Sequence, residues 1–176
     1  MTIINLIKLL KLFFYKTDED TVGKYLIGNN KTLAIAESCT GGLISSLMTD
    51  LSGSSAYIKS NFITYSNEAK TKYLNVEKET LNIYGAVSPQ TADEMAKGLL
   101  KKTGCDYALA TTGIAGPTGG TKEKPVGLVY IGLATKNKTT TIKFNTNAKY
   151  PRILIKYIFA KEAIKNLNKF IEENQK

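Results

Sequence analysis

Apolar and polar positions along the chain follow two periods. Thr32 to Ala36 is a short, continuously apolar run after a turn at Asn29-Asn30, and it predicts a buried strand. A short helix from Thr21 to about Gly28 precedes it. After it, Leu43, Ile44, Leu47, Met48 and Leu51 recur at helical spacing, opened by Gly41-Gly42 and closed by Ser52 to Ser55. A second strand is predicted over Asn61 to Ser66, followed by helices from Asn67 to about Leu74 and from Glu77 to Ile83. Ser88 is placed to cap a further helix, with Pro89 at its first position and Gly104 at its end. Its core-facing stripe is Ala92, Met95, Ala96, Leu99 and Leu100. Tyr107 to Thr111 reads as a third strand. Gly127 to Thr135 and Thr139 to Asn145, joined by Lys136 to Lys138, read as an antiparallel hairpin. A long amphipathic helix, with Ile155, Ile158, Phe159, Ala163, Leu167, Phe170 and Ile171 on its apolar side, closes the chain.

Strands alternating with helices require crossovers, and crossovers make a mainly parallel sheet; the late hairpin makes it mixed. The expected fold class is therefore α/β, a three-layer αβα sandwich with a mixed, mainly parallel sheet. Residues 1–20 stand apart. Ile3, Ile4, Leu6, Ile7, Leu9, Leu10, Leu12, Phe13 and Phe14 form an apolar run broken by Lys8 and Lys11. The run is too short to span a bilayer and lacks the basic start and cleavage site of a signal peptide. It is expected to be a helical extension that packs on the core or on another subunit, with Lys16 to Asp20 as a hinge and the domain proper over 21–176.

Composition removes more possibilities than it adds. With 176 residues and 43% hydrophobic content, the chain is one ordinary domain. It contains no histidine, which excludes serine or cysteine triads that use one. Two cysteines, Cys39 and Cys105, are too few for a zinc site of the usual kind, and no metal or other cofactor is expected. They lack framework spacing, so reduced thiols and a cytoplasmic location are expected. The net charge of +9 is spread over scattered lysines with no aromatic interleaving, so neither nucleic acid nor membrane is expected as a partner. A small anionic ligand is the better match. Among 24 basic residues the only arginine is Arg152, and arginine alone offers a planar fork for phosphate or carboxylate.

The chemistry concentrates after the first strand, in Glu37-Ser38-Cys39-Thr40-Gly41-Gly42. The carboxyl end of a strand in an open α/β sheet is where ligands bind, and a following helix offers unpaired amides to an oxyanion or phosphate. Gly41 and Gly42 let backbone approach a ligand closely. Ser38, Cys39 and Thr40 all compete as nucleophile, and Ser38 or Thr40 would serve equally as a helix cap. Without histidine the base has to be another group. Lys70 lies one turn into the helix after the second strand and points back toward that strand's end, provided burial keeps it neutral. The loop Gly113 to Gly120 ends the third strand and is rich in backbone donors, although it matches neither the P-loop nor the dinucleotide fingerprint.

Five segments in order resemble the C-terminal domain of the CinA competence/damage-inducible family. They are Ala36 to Gly42, Thr64-Tyr65-Ser66-Asn67-Glu68-Ala69-Lys70, Gly85-Ala86-Val87-Ser88, Thr112 to Pro117 and Lys124-Pro125-Val126-Gly127. That family includes stand-alone enzymes that deamidate nicotinamide mononucleotide. The resemblance implies a Ser/Lys amidohydrolase with Ser38 as nucleophile, Lys70 as base, and amides near Thr40 to Gly42 facing the oxyanion. It also implies that Tyr65, Asn67 and Thr112 orient the amide or tune the lysine. Glu37, Cys39 and Thr40 would line the substrate site with Gly41 and Gly42. Gly113, Ile114, Ala115, Gly116 and Arg152 would hold ribose and phosphate, and a homo-oligomer is expected. Family members typically carry Gly-Asp-Arg before the last helix and another arginine one turn later; here Tyr150-Pro151-Arg152 and Lys156 stand there. The pyrophosphatase-like domain of longer members has no counterpart in this sequence, and its activity is not transferred. Two alternatives remain: a catalytically silent nucleotide-binding domain, and a nucleic-acid-associated protein.

Overall fold

The computed structural model describes residues 17–175. Five strands, β1 (Leu33–Glu37), β2 (Ile58–Ile63), β3 (Tyr107–Gly113), β4 (Leu128–Ala134) and β5 (Thr139–Asn145), form one sheet in the order β2-β1-β3-β4-β5. β1 pairs in parallel with both β2 and β3, while β3 with β4 and β4 with β5 pair antiparallel. Four strands thus point one way and only β4 runs against them. Six helices cover the two faces: α1 (Asp18–Gly28), α2 (Leu43–Thr49), α3 (Asn67–Leu74), α4 (Lys78–Tyr84), α5 (Pro89–Thr103) and α6 (Arg152–Glu173). The α/β, three-layer expectation holds.

The layers follow from a period-two alternation of large and small residues. Leu33, Ile35, Tyr107, Leu109, Val129, Ile131 and Leu133 face α1, α2 and α6, burying Val22, Leu26, Ile44, Met48, Phe159 and Leu167 with them. The opposite face is built of alanines, Ala34, Ala36, Ala108, Ala110 and Ala134, and meets Leu74, Val76, Leu81, Met95, Ala96 and Leu99. Methyl groups let α5 sit unusually close to the sheet. A Cβ on Gly132 of β4 would lie 2.1 Å from the Ala92 carbonyl oxygen, and one on Gly98 would lie 1.7 Å from that of Leu74.

Three sequence expectations need correction. Asp18 to Asp20, read as part of a hinge, form the first turn of α1, where acidic side chains oppose the positive helix end. Thr17 caps it: its hydroxyl accepts from the Asp20 amide at 3.2 Å, and its own amide donates to the Asp20 carboxylate at 3.3 Å. Lys16 and the apolar extension lie outside the described residues. β2 begins at Ile58, three positions earlier than predicted, and ends at Ile63. It is a half-exposed edge strand, so no continuous apolar run marks its limits. The predicted helix ends at Thr49, and Ser54–Ala56 forms a separate single turn.

Close packing on the alanine face sets up a test of sign. Gly98→Ala adds a better helix former, worth about 1 kcal/mol in a free helix. Its methyl would collide with a backbone oxygen that cannot rotate away, so a net loss of about 1–3 kcal/mol is expected in denaturant unfolding. A stabilised variant would contradict the packing described.

Candidate active site

β1, β2 and β3 deliver their carboxyl ends to one edge, and each contributes a part of the site. Ser38 follows β1, held by its amide donating 3.1 Å to the Thr111 carbonyl of β3. Lys70 comes from the first turns of α3, whose start is fixed by the Ser66 hydroxyl accepting from the Ala69 amide. The lysine folds back as its helical position dictates. Its Nζ donates 3.0 Å to Ser38 Oγ and 2.8 Å to the Thr64 carbonyl, with the Tyr65 carbonyl at 3.5 Å.

Lys70 is 1% exposed, and among the described residues it forms no ion pair. Burial in these surroundings pulls its pKa down from 10.5 to about 8, opposed in part by Cys39. At neutral pH about one molecule in ten therefore carries a neutral amine beside the serine. A neutral amine 3.0 Å from a hydroxyl is placed to accept that hydroxyl's proton, an arrangement that can activate a serine without histidine.

The competing nucleophiles are removed by their surroundings. Cys39 is 5% exposed and belongs to the core of the α1–α2–α6 face; burial pushes its thiol up to about 12, so it stays protonated. Thr40 is fully buried, its hydroxyl 3.0 Å from that of Thr111 across β1 and β3. Neither Ser38 nor Thr40 caps α2. Glu37 does so from within β1: its carboxylate accepts from the amides of Gly42, Ile44 and Ser45 at 2.9, 3.2 and 2.8 Å, and from the Ser45 hydroxyl at 2.7 Å. This fully buried carboxylate is occupied inside the fold rather than turned to a ligand.

The amides of Gly41 and Gly42 are spent as well, donating to the Ser38 carbonyl and to Glu37. Cys39 and Thr40 are left as the segment's backbone donors without a partner among the described residues. Gly41 and Gly42 are required for a different reason from the one expected. Their φ values of 61° and 96° are left-handed, so the chain can turn sharply from β1 into α2.

In front of Ser38 opens a cavity of about 260 Å3 lined by Ser38, Cys39, Tyr65, Thr112, Gly113, Ile114, Ala115, Gly116 and Arg152, as expected, and by Ala86, Val87, Thr118 and Gly119. Ala86 and Val87 stand in one of the five family-like segments, which was their only signal. A larger depression of about 560 Å3, between Lys97–Cys105 and Thr135–Thr139, holds no serine beside a buried lysine; chemistry rather than volume identifies the site.

Arg152, the first residue of α6, reaches across the mouth, donating 2.6 Å to the Gly116 carbonyl and 2.9 Å to the Tyr65 hydroxyl. Lys156, one turn later, places its ammonium over Gly41, 3.3 Å from where a Cβ would stand. Arg152 thus lines the cavity, and Lys156 lies beside the turn that follows Ser38. Thr112 lines the cavity, and its hydroxyl donates 2.6 Å to the Ala86 carbonyl. Asn67 is exposed and lines a separate depression with Glu68, Thr71 and Lys72. Among the described residues no cluster of three or more Cys, Asp or Glu is arranged to hold a metal, and no helix is long and apolar enough to cross a membrane.

Burial of Lys70 ties stability to pH. Its folded pKa lies below the unfolded value, so between about pH 8 and 10.5 the unfolded chain binds the extra proton and stability rises with pH. Below pH 8 both states are protonated and the full cost, on the order of 3 kcal/mol, is present. Lys70→Met removes that dependence. Its stability relative to wild type is expected to fall by up to about 3 kcal/mol from pH 7 to pH 10.5 in denaturant titrations. A constant difference would mean that Lys70 has an ordinary pKa.

Known proteins share this sequence and fold. The family model described as CinA C-terminal domain matches residues 16–171. A CinA-like protein of Endomicrobium trichonymphae is 56% identical over 140 residues, covering 77% of this chain and 33% of the relative. One from Syntrophomonas wolfei is 60% identical over 121 residues, covering 66% and 29%. The chain thus spans about a third of the length of these curated relatives. Among solved structures, the competence/damage inducible protein CihA from Agrobacterium tumefaciens superimposes with a TM-score of 0.80 at 38% identity, covering 88% of this chain and 96% of that one. The chain belongs to the CinA C-terminal domain family.

Proposed function

We propose that this protein is an amidohydrolase that deamidates nicotinamide mononucleotide, giving nicotinic acid mononucleotide and ammonia. The observation that carries the reading is the 3.0 Å contact between Ser38 Oγ and the buried, unpaired Lys70. Buried amines without a counter-ion destabilise a fold, so one held against a serine at a ligand-binding sheet edge has a chemical reason to be there.

Neutral Lys70 takes the proton of Ser38 Oγ as the oxygen bonds to the carboxamide carbon. The carbonyl electron pair moves to its oxygen, which the Cys39 and Thr40 amides receive. Collapse of the tetrahedral adduct expels the amide nitrogen, to which Lys70 returns the proton, so ammonia leaves and an acyl-serine remains. Lys70 then deprotonates water for attack on the acyl carbon, and Ser38 departs with that proton. Arg152 and Lys156 supply cations for the 5′-phosphate. Arg152 gives up at least one of its two contacts to do so, with Tyr65 as the group that aims it. The glycine loop encloses the ribose. The same reading makes a small nucleotide the partner, a homo-oligomer the assembly and the cytoplasm the location.

Ammonia release from nicotinamide mononucleotide tests it directly. Ser38→Ala is expected to lower kcat by about 10³-fold or more, while Cys39→Ser keeps most activity. Wild-type kcat/KM should rise about tenfold per pH unit from pH 6 and level off near pH 8, following neutral Lys70. A flat profile would remove Lys70 as base. Tight binding of the nucleotide without ammonia release would identify a silent binding domain instead.

A further inference from the structure

The segment Lys124-Pro125-Val126-Gly127 takes no part in the chemistry above, yet each of its ends is tied to a different wall of the cavity. Val126 packs under the glycine loop: a Cβ on Gly116 would lie 2.5 Å from its Cγ1, and one on Gly120 would lie 2.7 Å from its amide nitrogen. The Gly127 amide donates 2.8 Å to the Ile114 carbonyl. The segment is therefore fixed to the loop that forms one wall.

Lys124 reaches the other wall. Its Nζ donates 2.5 Å to the carbonyl of Tyr84, the last residue of α4. A cation at this end of a helix meets carbonyls that have no partner within the helix. The lysine backbone is itself held in a tight turn, its amide donating 3.0 Å to the Thr121 hydroxyl and its carbonyl accepting 2.8 Å from the Thr121 amide.

The wall it reaches is irregular and is held through its carbonyls. Residues 85–88 belong to no strand, and three successive carbonyls are taken by side chains from three different places. Tyr84 is bonded by Lys124, Gly85 by Thr91 at 2.8 Å and Ser88 at 3.2 Å, and Ala86 by Thr112 at 2.6 Å. Ala86 and Val87, which line the cavity, follow directly. Thr91, Ser88 and Thr112 are buried, in α5, at its cap and in β3, whereas Lys124 alone comes from the loop side. It is the strap between the walls.

We propose that Lys124 is a positioning residue that ties the glycine loop to the Tyr84–Val87 segment and so keeps the two walls of the cavity at a fixed separation. This rests on the reading of the cavity as the nucleotide pocket. Lys124 touches no reacting atom, and its effect is on how well the pocket receives substrate rather than on the Ser38–Lys70 step.

The test compares wild type with Lys124→Met, which keeps length without a donor, and Lys124→Arg, which keeps a donor. Steady-state kinetics with nicotinamide mononucleotide, hydrogen exchange and thermal melting are measured on each. Lys124→Met is expected to raise KM about tenfold with kcat within twofold and little change in Tm. Amides over 86–88 and 114–120 should exchange at least tenfold faster, and Lys124→Arg should recover most of both effects. Unchanged KM and unchanged exchange overturn the proposal. So does faster exchange with unchanged KM, because the strap then does not shape the pocket. An equal fall in kcat and Tm overturns it too, as general destabilisation. If wild type releases no ammonia, the amidase reading fails on its own. The strap is then judged by exchange, where identical protection in Lys124→Met and wild type overturns it and the localised loss restored by arginine supports it.

Discussion

The site depends on one unfavourable arrangement, an amine taken out of water with no carboxylate to answer it. Lys70 is held by neutral acceptors only, the Ser38 hydroxyl and the Thr64 carbonyl. A carboxylate in contact would repay the burial but would also raise the lysine pKa and end its use as a base. Glu37 shows how the fold avoids this. It stands next to Ser38 in sequence, yet four donors from the start of α2 hold its carboxylate on the other side of the turn. Structural and chemical charges are kept apart by hydrogen bonding rather than by distance along the chain.

That arrangement sets demands on the rest of the molecule. Serine and lysine must keep hydrogen-bonding distance while one end of the contact pays a desolvation cost, so both need stiff supports. Ser38 is tied to β3 through Thr111, and Thr40 is tied there as well. Lys70 hangs from a helix whose cap, Ser66, fixes where it starts. Behind them the alanine face of the sheet admits α5 at near-contact with backbone, leaving little room for the sheet edge to shift.

Much of this was legible in the sequence, and what was not has identifiable causes. Helical spacing located α5 and α6 because their buried stripes are strong, and the missing histidines pointed to a lysine base. The ordered segments then singled out Ser38 and Lys70. What failed was direction at short range. Glu37, Thr40 and Thr112 stand beside the site in sequence, but strand alternation turns Glu37 inward, the turn after β1 buries Thr40 against Thr111, and Thr112 donates its hydroxyl to Ala86. Which amides of a glycine-rich turn remain free depends on φ values that a sequence does not print, and so Gly41 and Gly42 were read as donors. Lys156 was visible only as a departure from the family pattern until α6 brought it over Gly41.

Ser38 and Lys70 both come from the continuous stretch β1–α2–β2–α3, whereas most of the cavity lining in front of them comes from β3, the glycine loop, Ala86, Val87 and the start of α6. On the proposed reading, the reacting pair and most of the recognition surface therefore come from different parts of one domain. Changes in the loop, at Arg152 or at Lys156 can redirect what enters without touching the pair that reacts with it. On the proposed reading, the reacting pair can thus be kept through divergence while the molecules presented to it change.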